Sequence, residues 1–164
     1  MAEFYGWFVF LHIVGLVLFA MGHGVNVLSA FRIRSQKDPR AVAGALEASS
    51  MALGPMYIGL LLLILGGAGA ATANELWGQT WIIASIVVLI AVIVLMYGIA
   101  TPYYGQVREA VGLRPPKGAT EPAPPIEGEA LARLLDTRRP ETLLLVGGLG
   151  LLILIWLMVL KPTL

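Results

Sequence analysis

Cysteine is absent from these 164 residues, which removes disulfides, thiolate metal sites, iron–sulfur ligation and covalent c-type haem attachment together. Charge is scarce as well. Asp, Glu, Lys and Arg make up 13% of the chain against 58% hydrophobic residues, a balance foreign to a water-soluble domain. Only two histidines occur, His12 and His23, and no carboxylate falls inside the apolar stretches. A hydrolytic triad or an acid–base carboxylate pair therefore has no material there, and no catalytic residue is assigned. A net charge of +1 without a basic patch offers nothing to nucleic acid. No P-loop, dinucleotide fingerprint or lipidation motif is present.

What remains is mostly long apolar sequence. Stretches without charge run from Phe4 to Phe31, Ala48 to Asn74, Leu76 to Val107 and Thr142 to Leu160. A bilayer crossing needs ~20 mainly apolar residues, so each run supports one span. Ten of the eleven Lys and Arg residues lie between runs one and two or between runs three and four; only Lys161 sits elsewhere. Basic loops stay in the cytoplasm. The reading is an all-α, integral membrane four-helix bundle forming a single domain. Spans are placed at about 4–31, 50–72, 78–101 and 142–160, with cytoplasmic loops 32–49 and 105–141. Both termini then face outward from a cell membrane crossed several times. The first span is read as an anchor rather than a cleaved signal, because its start carries Glu3 and no base.

Local signals refine this. Asp38-Pro39 reads as an N-cap with proline at the first helical position. Val42, Ala43 and Leu46 then make an amphipathic turn leading into span two, and Pro55 marks a kink or weak point within it. Gly59, Leu63, Gly66 and Ala70 share a face that admits a close neighbour. The short turn 72–79 makes helices two and three antiparallel neighbours, with Trp77 and Trp81 one helical turn apart at the outer interface. Span three continues as a polar helix to about Val111. Five prolines from Pro115 to Pro125 follow, and then a short amphipathic helix from Ile126 to Asp136 that lies along the membrane surface. Each half reads as span, basic loop, short helix, span. The two antiparallel hairpins are thus candidates for a parallel repeat.

Polar side chains inside lipid need a reason. His12 and His23 are eleven residues apart, so they share a face and stand ~16 Å apart along the axis. Gly15, Phe19, Gly22 and Asn26 lie on that face too. Glycines beside histidines leave space for a flat group or for a closely packed helix. Imidazole is the common axial ligand of haem iron, and methionine can sit opposite it. His12 and His23 are therefore candidate metal ligands and, with Met96, candidate residues for a b-type haem; Met51 and Met56 are further sources of a second ligand. Cu(I) also takes thioether and imidazole donors, but the methionines show no repeated spacing.

The stretch "FLHIVGLVLFAMGHGVNVLSAFRIRSQKDPRAVAGAL" and the close "LLILIWLMVLKPTL" resemble a group of small four-helix membrane proteins. That group includes the CopD-like copper-resistance domain, the bacterial four-helix protoporphyrinogen oxidase and a set of uncharacterised relatives. The resemblance carries over His12, after Phe10-Leu11, and Lys161, before Pro162. In the oxidase branch it implies haem or porphyrin handling. Met96-Tyr97 stands where that branch has a third-span histidine, which moves the likeness to the uncharacterised branch.

Three functions stay open on this reading. The first is a b-haem-associated, redox-linked protein of an energy-transducing membrane. The second is an accessory subunit without chemistry, packed in a larger membrane complex or a homo-oligomer. The third is a copper-handling membrane domain.

Overall fold

The computed structural model describes residues 2–163. Among these residues all regular structure is helical, without strands, and residues 111–127 form an irregular connection. A short 3-10 turn leads into α1 (Tyr5–Arg34), followed by α2 (Pro39–Ala73), α3 (Thr80–Ala110), α4 (Gly128–Leu135) and α5 (Arg139–Leu160). Helices α1, α2, α3 and α5 are each long and apolar enough to cross a membrane.

The boundaries follow from local chemistry. Helix α2 opens as the Asp38-Pro39 pair dictates: the Asp38 side chain accepts from the Arg40 amide at 2.9 Å, and proline fills the first helical position. The helix then runs unbroken through Pro55 to Ala73. The amphipathic turn expected from Pro39 onward is therefore continuous with the second span as the first turns of α2, and the first half has no separate short helix. Helix α3 ends in a Schellman motif. Gly112 takes the left-handed conformation that glycine adopts without strain (φ 72°), and the amides of Gly112 and Leu113 return to the Glu109 and Arg108 carbonyls.

Two antiparallel pairs carry the packing, α1 on α2 and α3 on α5. Helices α2 and α3 scarcely touch, although the turn between them is short. The expectation of neighbours there fails because turn length limits where helices begin, while side-chain size decides where they pack. The two tryptophans separate as well. Trp77 sits in a 3-10 turn and donates from Nε1 to Thr72 Oγ1 at 3.1 Å, whereas Trp81 is buried in the first turn of α3.

The α1–α2 seam repeats every three and four residues. Glycines stand wherever backbones meet: Gly15 lies against Gly59 and Leu63, Gly22 against Ala52 and Met56, and Gly66 against Phe8 and His12. A Cβ at any of these positions would collide with main chain of the facing helix. In lipid, where apolar side chains gain nothing by leaving solvent, such close backbone approach is the main source of helix association.

The largest buried cluster lies at the basic-loop end. Ile33 of α1, Val42 and Leu46 of α2, Tyr103 and Val107 of α3, and Leu143 of α5 close around Leu131 and Leu135 of α4. Helix α4 thus packs its apolar face on the bundle end. Its amphipathicity is satisfied by protein, and the Lys37–Glu129 ion pair and the Gly128 amide on the Lys37 carbonyl hold it there. A second ion pair, Arg34–Glu141, ties α1 to the start of α5.

Candidate functional site

The two histidines share a face of α1 but meet different neighbours. His12 enters the α1–α2 seam, where its Nδ1–H donates to the Leu63 carbonyl at 2.7 Å. A carbonyl only accepts, so Nδ1 carries a proton, and in the neutral ring Nε2 is the nitrogen with the lone pair. Gly66 and Gly67 make the room: their absent side chains are what let the helix and the imidazole so close.

His23 leans the other way, onto α5. Its Nε2–Cε1 edge rests on the bare Cα of Gly147, and a Cβ there would clash with that edge at both Nε2 and Cε1. The ring lies parallel to Phe19, one turn earlier, with centroids 6.1 Å apart. His23 is buried, and its Nε2 has no hydrogen-bond partner among the described residues.

One turn on, Asn26 is the hub of a polar knot. Its amide nitrogen donates to the Gly22 carbonyl at 3.0 Å and approaches Met56 Sδ at 3.6 Å, and its Oδ1 accepts from Ser49 of α2. The Tyr104 hydroxyl of α3 donates to the Asn26 carbonyl at 2.8 Å, and Tyr103 reaches the Ala30 carbonyl at 3.4 Å. Asn26 could be singled out from sequence because an amide in a span must find partners. Ser49, Tyr104 and Gly147 could not, because the first two sit at span ends, where polar groups are ordinary, and one glycine among three on α5 carries no sign of its contact.

The candidate ligands do not converge. Met96 packs against the cluster around Tyr103, toward the basic-loop end, while His12 lies at the level of Leu63 to Gly67. Met56 is engaged with Asn26, and Met51 is exposed. Among the described residues no group of three His, Asp or Glu side chains could hold a metal ion. The α1–α2 seam does not fit a porphyrin, because main chain already touches main chain at Gly15–Gly59. Within one chain the space that the glycines open is occupied by helices α2 and α5.

At the other end of the molecule Lys161 closes α5 in a left-handed conformation (φ 45°) and places Nζ 5.5 Å from the centre of the Trp81 ring. A cation over an indole face is attracted by the ring quadrupole. This contact, with Gly150 against Val92, pins α5 to α3. Near the basic loops, Glu141 precedes the apolar run of α5. The hydrogen bond from the Arg34 guanidinium holds its carboxyl below the ordinary value of 4.5.

Compared with family models, curated proteins and solved structures, the chain finds no match.

Proposed function

We propose that the protein is a small polytopic membrane subunit without chemistry of its own, which packs in a larger membrane complex or against copies of itself. The observation that supports this is how the polar side chains along the helix seams are used. His12, Asn26, Ser49, Tyr103 and Tyr104 are each spent on a tie to another helix. Groups kept for catalysis or ligation would be held unpaired and convergent around a cavity. The five named here join helices, while His23, whose buried Nε2 has no partner among the described residues, stands apart from any group that could hold a metal.

The b-haem reading keeps one supporting observation. Donation of the Nδ1–H of His12 to a main-chain carbonyl sets the tautomer that an Nε2 metal ligand requires. A facing ligand would have to come from outside the chain, as from His12 of a second copy. The copper reading has no comparable support.

A visible spectrum combined with sizing separates these readings. Protein purified in mild detergent from its native membrane is expected to be colourless and to migrate well above its 17.5 kDa chain mass. A Soret band that disappears in His12→Ala would overturn the proposal in favour of haem. Bound copper lost on substituting Met51, Met56 and Met96 would overturn it in favour of the third reading.

A further inference from the structure

Beyond Asn26 and Ser49 the α1–α2 seam opens. Between the last turns of α1 and the first turns of α2 lies a groove of about 490 Å³, lined by Val25, Leu28, Ser29 and Arg32 on one side and by Ala41, Gly44, Ala45 and Ala48 on the other. Its α2 wall is made of the smallest side chains. A Cβ placed on Gly44 would meet no atom within 4 Å, so the groove is open there.

The groove straddles a chemical boundary. Val25 and Leu28 belong to the long apolar run of α1, and Arg32 is the first cation after it. A lipid-facing cleft at this level meets acyl carbon at one end and headgroups at the other.

Among the described residues, Arg32 is the one charged residue in the lining of the groove. Arg34 and Lys37 are engaged with Glu141 and Glu129. Arg32 is exposed and has no carboxylate partner among the described residues. No carboxylate lines the groove. Glu47 is exposed on α2 nearby without lining it, and Lys37 and Arg40 line a separate hollow together with Asp38 and Glu127.

We propose that this groove holds one anionic phospholipid. The phosphate pairs with the Arg32 guanidinium, whose planar fork matches phosphate oxygens. An acyl chain lies along Gly44 and Ala48 opposite Val25 and Leu28. The lining offers an ammonium no carboxylate, so a zwitterionic headgroup brings a positive charge that finds no partner. Basic clefts between membrane helices at the headgroup level bind anionic lipids on this principle.

The test uses the full chain in detergent, loaded with either phosphatidylglycerol or phosphatidylcholine, and counts lipid retained per chain by native mass spectrometry. The wild type is expected to retain one phosphatidylglycerol in preference to phosphatidylcholine. Arg32→Gln is expected to lower that preference about fivefold, the weight of one cation at a lipid surface. Gly44→Leu, which fills the open floor, is expected to lose retention of the bound lipid, and Ala48→Leu serves the same purpose should the first variant misfold. Gly54→Leu, at another glycine with open space, is expected to change nothing. Equal retention of the two lipids overturns the proposal, as does an unaltered preference in Arg32→Gln. Retention undisturbed by the filling variants, or lost equally in Gly54→Leu, overturns it too, since the lipid would then be held by surface charge alone or nonspecifically.

Discussion

His23 of α1 lies with the edge of its imidazole against the Cα of Gly147 on α5, a contact that joins the two helix pairs within their apolar spans. Elsewhere the pairs are joined mainly at the basic-loop end, by the cluster around Leu131 and the Arg34–Glu141 pair. The histidine is therefore a spacer as much as a polar group: its flat ring fits where a glycine leaves the facing helix bare.

Adding one methyl group tests that relationship. Gly147→Ala puts a Cβ in collision with the edge of the imidazole and must push α5 away or turn the ring out. Overpacking of this kind costs ~1–3 kcal/mol. The loss is expected to shrink when His23→Ala is combined with it, because the second change removes the colliding ring. Thermal unfolding in detergent of the four members of this cycle measures the coupling. Additive losses would show that the two residues do not meet.

The α1–α2 seam makes a sharper demand, because there main chain touches main chain. Gly59→Leu drives a side chain into Phe19 and the Gly15 carbonyl and is expected to separate the helices, with a loss larger than that of Gly147→Ala. Gly24→Leu sets a side chain of the same size where a Cβ has no neighbour and is expected to be nearly neutral. Similar melting temperatures for the two variants would contradict the seam.

How far the sequence reveals this fold depends on which signal is asked for. Span number and order are legible because a bilayer demands ~20 apolar residues per crossing, whatever packs on them. The Asp38-Pro39 cap and the small face of α2 are legible because each is a local pattern with a single physical use. The pairing of α3 with α5 is not. Both helices are apolar on all sides, so no stripe marks the packed face, and the choice rests on contacts as small as Gly150 on Val92. The amphipathicity of α4 is plain, but a bundle end and a lipid surface satisfy it equally. The histidine face was visible at His12 and His23, whereas what fills the space beside each is set by glycines on other helices.

The Arg34–Glu141 pair gives the fold a dependence on acidity. The folded state holds the Glu141 carboxyl below its ordinary value of 4.5. Its contribution is therefore complete above that value and lost as pH falls through the lowered one. Melting temperatures of the wild type are expected to decline on acidification through this window. Glu141→Gln, which lacks the ionisable group, is expected to start lower at neutral pH and decline less. Parallel profiles for the two proteins would assign the acid sensitivity to other carboxylates.

The polar knot at Asn26 separates a tie from a packing contact. Ser49 donates to Asn26 Oδ1 across the α1–α2 seam, while the Tyr104 bond goes to the Asn26 main-chain carbonyl. Ser49→Ala thus strands a side-chain acceptor and leaves the tyrosine bond in place. Interhelical hydrogen bonds in membranes are worth ~0.6 kcal/mol on average and up to ~1.7, and a loss in that range is expected. Asn26→Leu removes acceptor and donor together, so Ser49→Ala added to it should cost almost nothing more. Tyr104→Phe breaks the bond to the Asn26 main-chain carbonyl, but the Ser49 hydroxyl also bonds the Tyr104 hydroxyl, so the losses from Tyr104→Phe and Ser49→Ala are expected to be non-additive. Additive losses between Ser49→Ala and Tyr104→Phe would mean that the knot works as two separate ties rather than as one network.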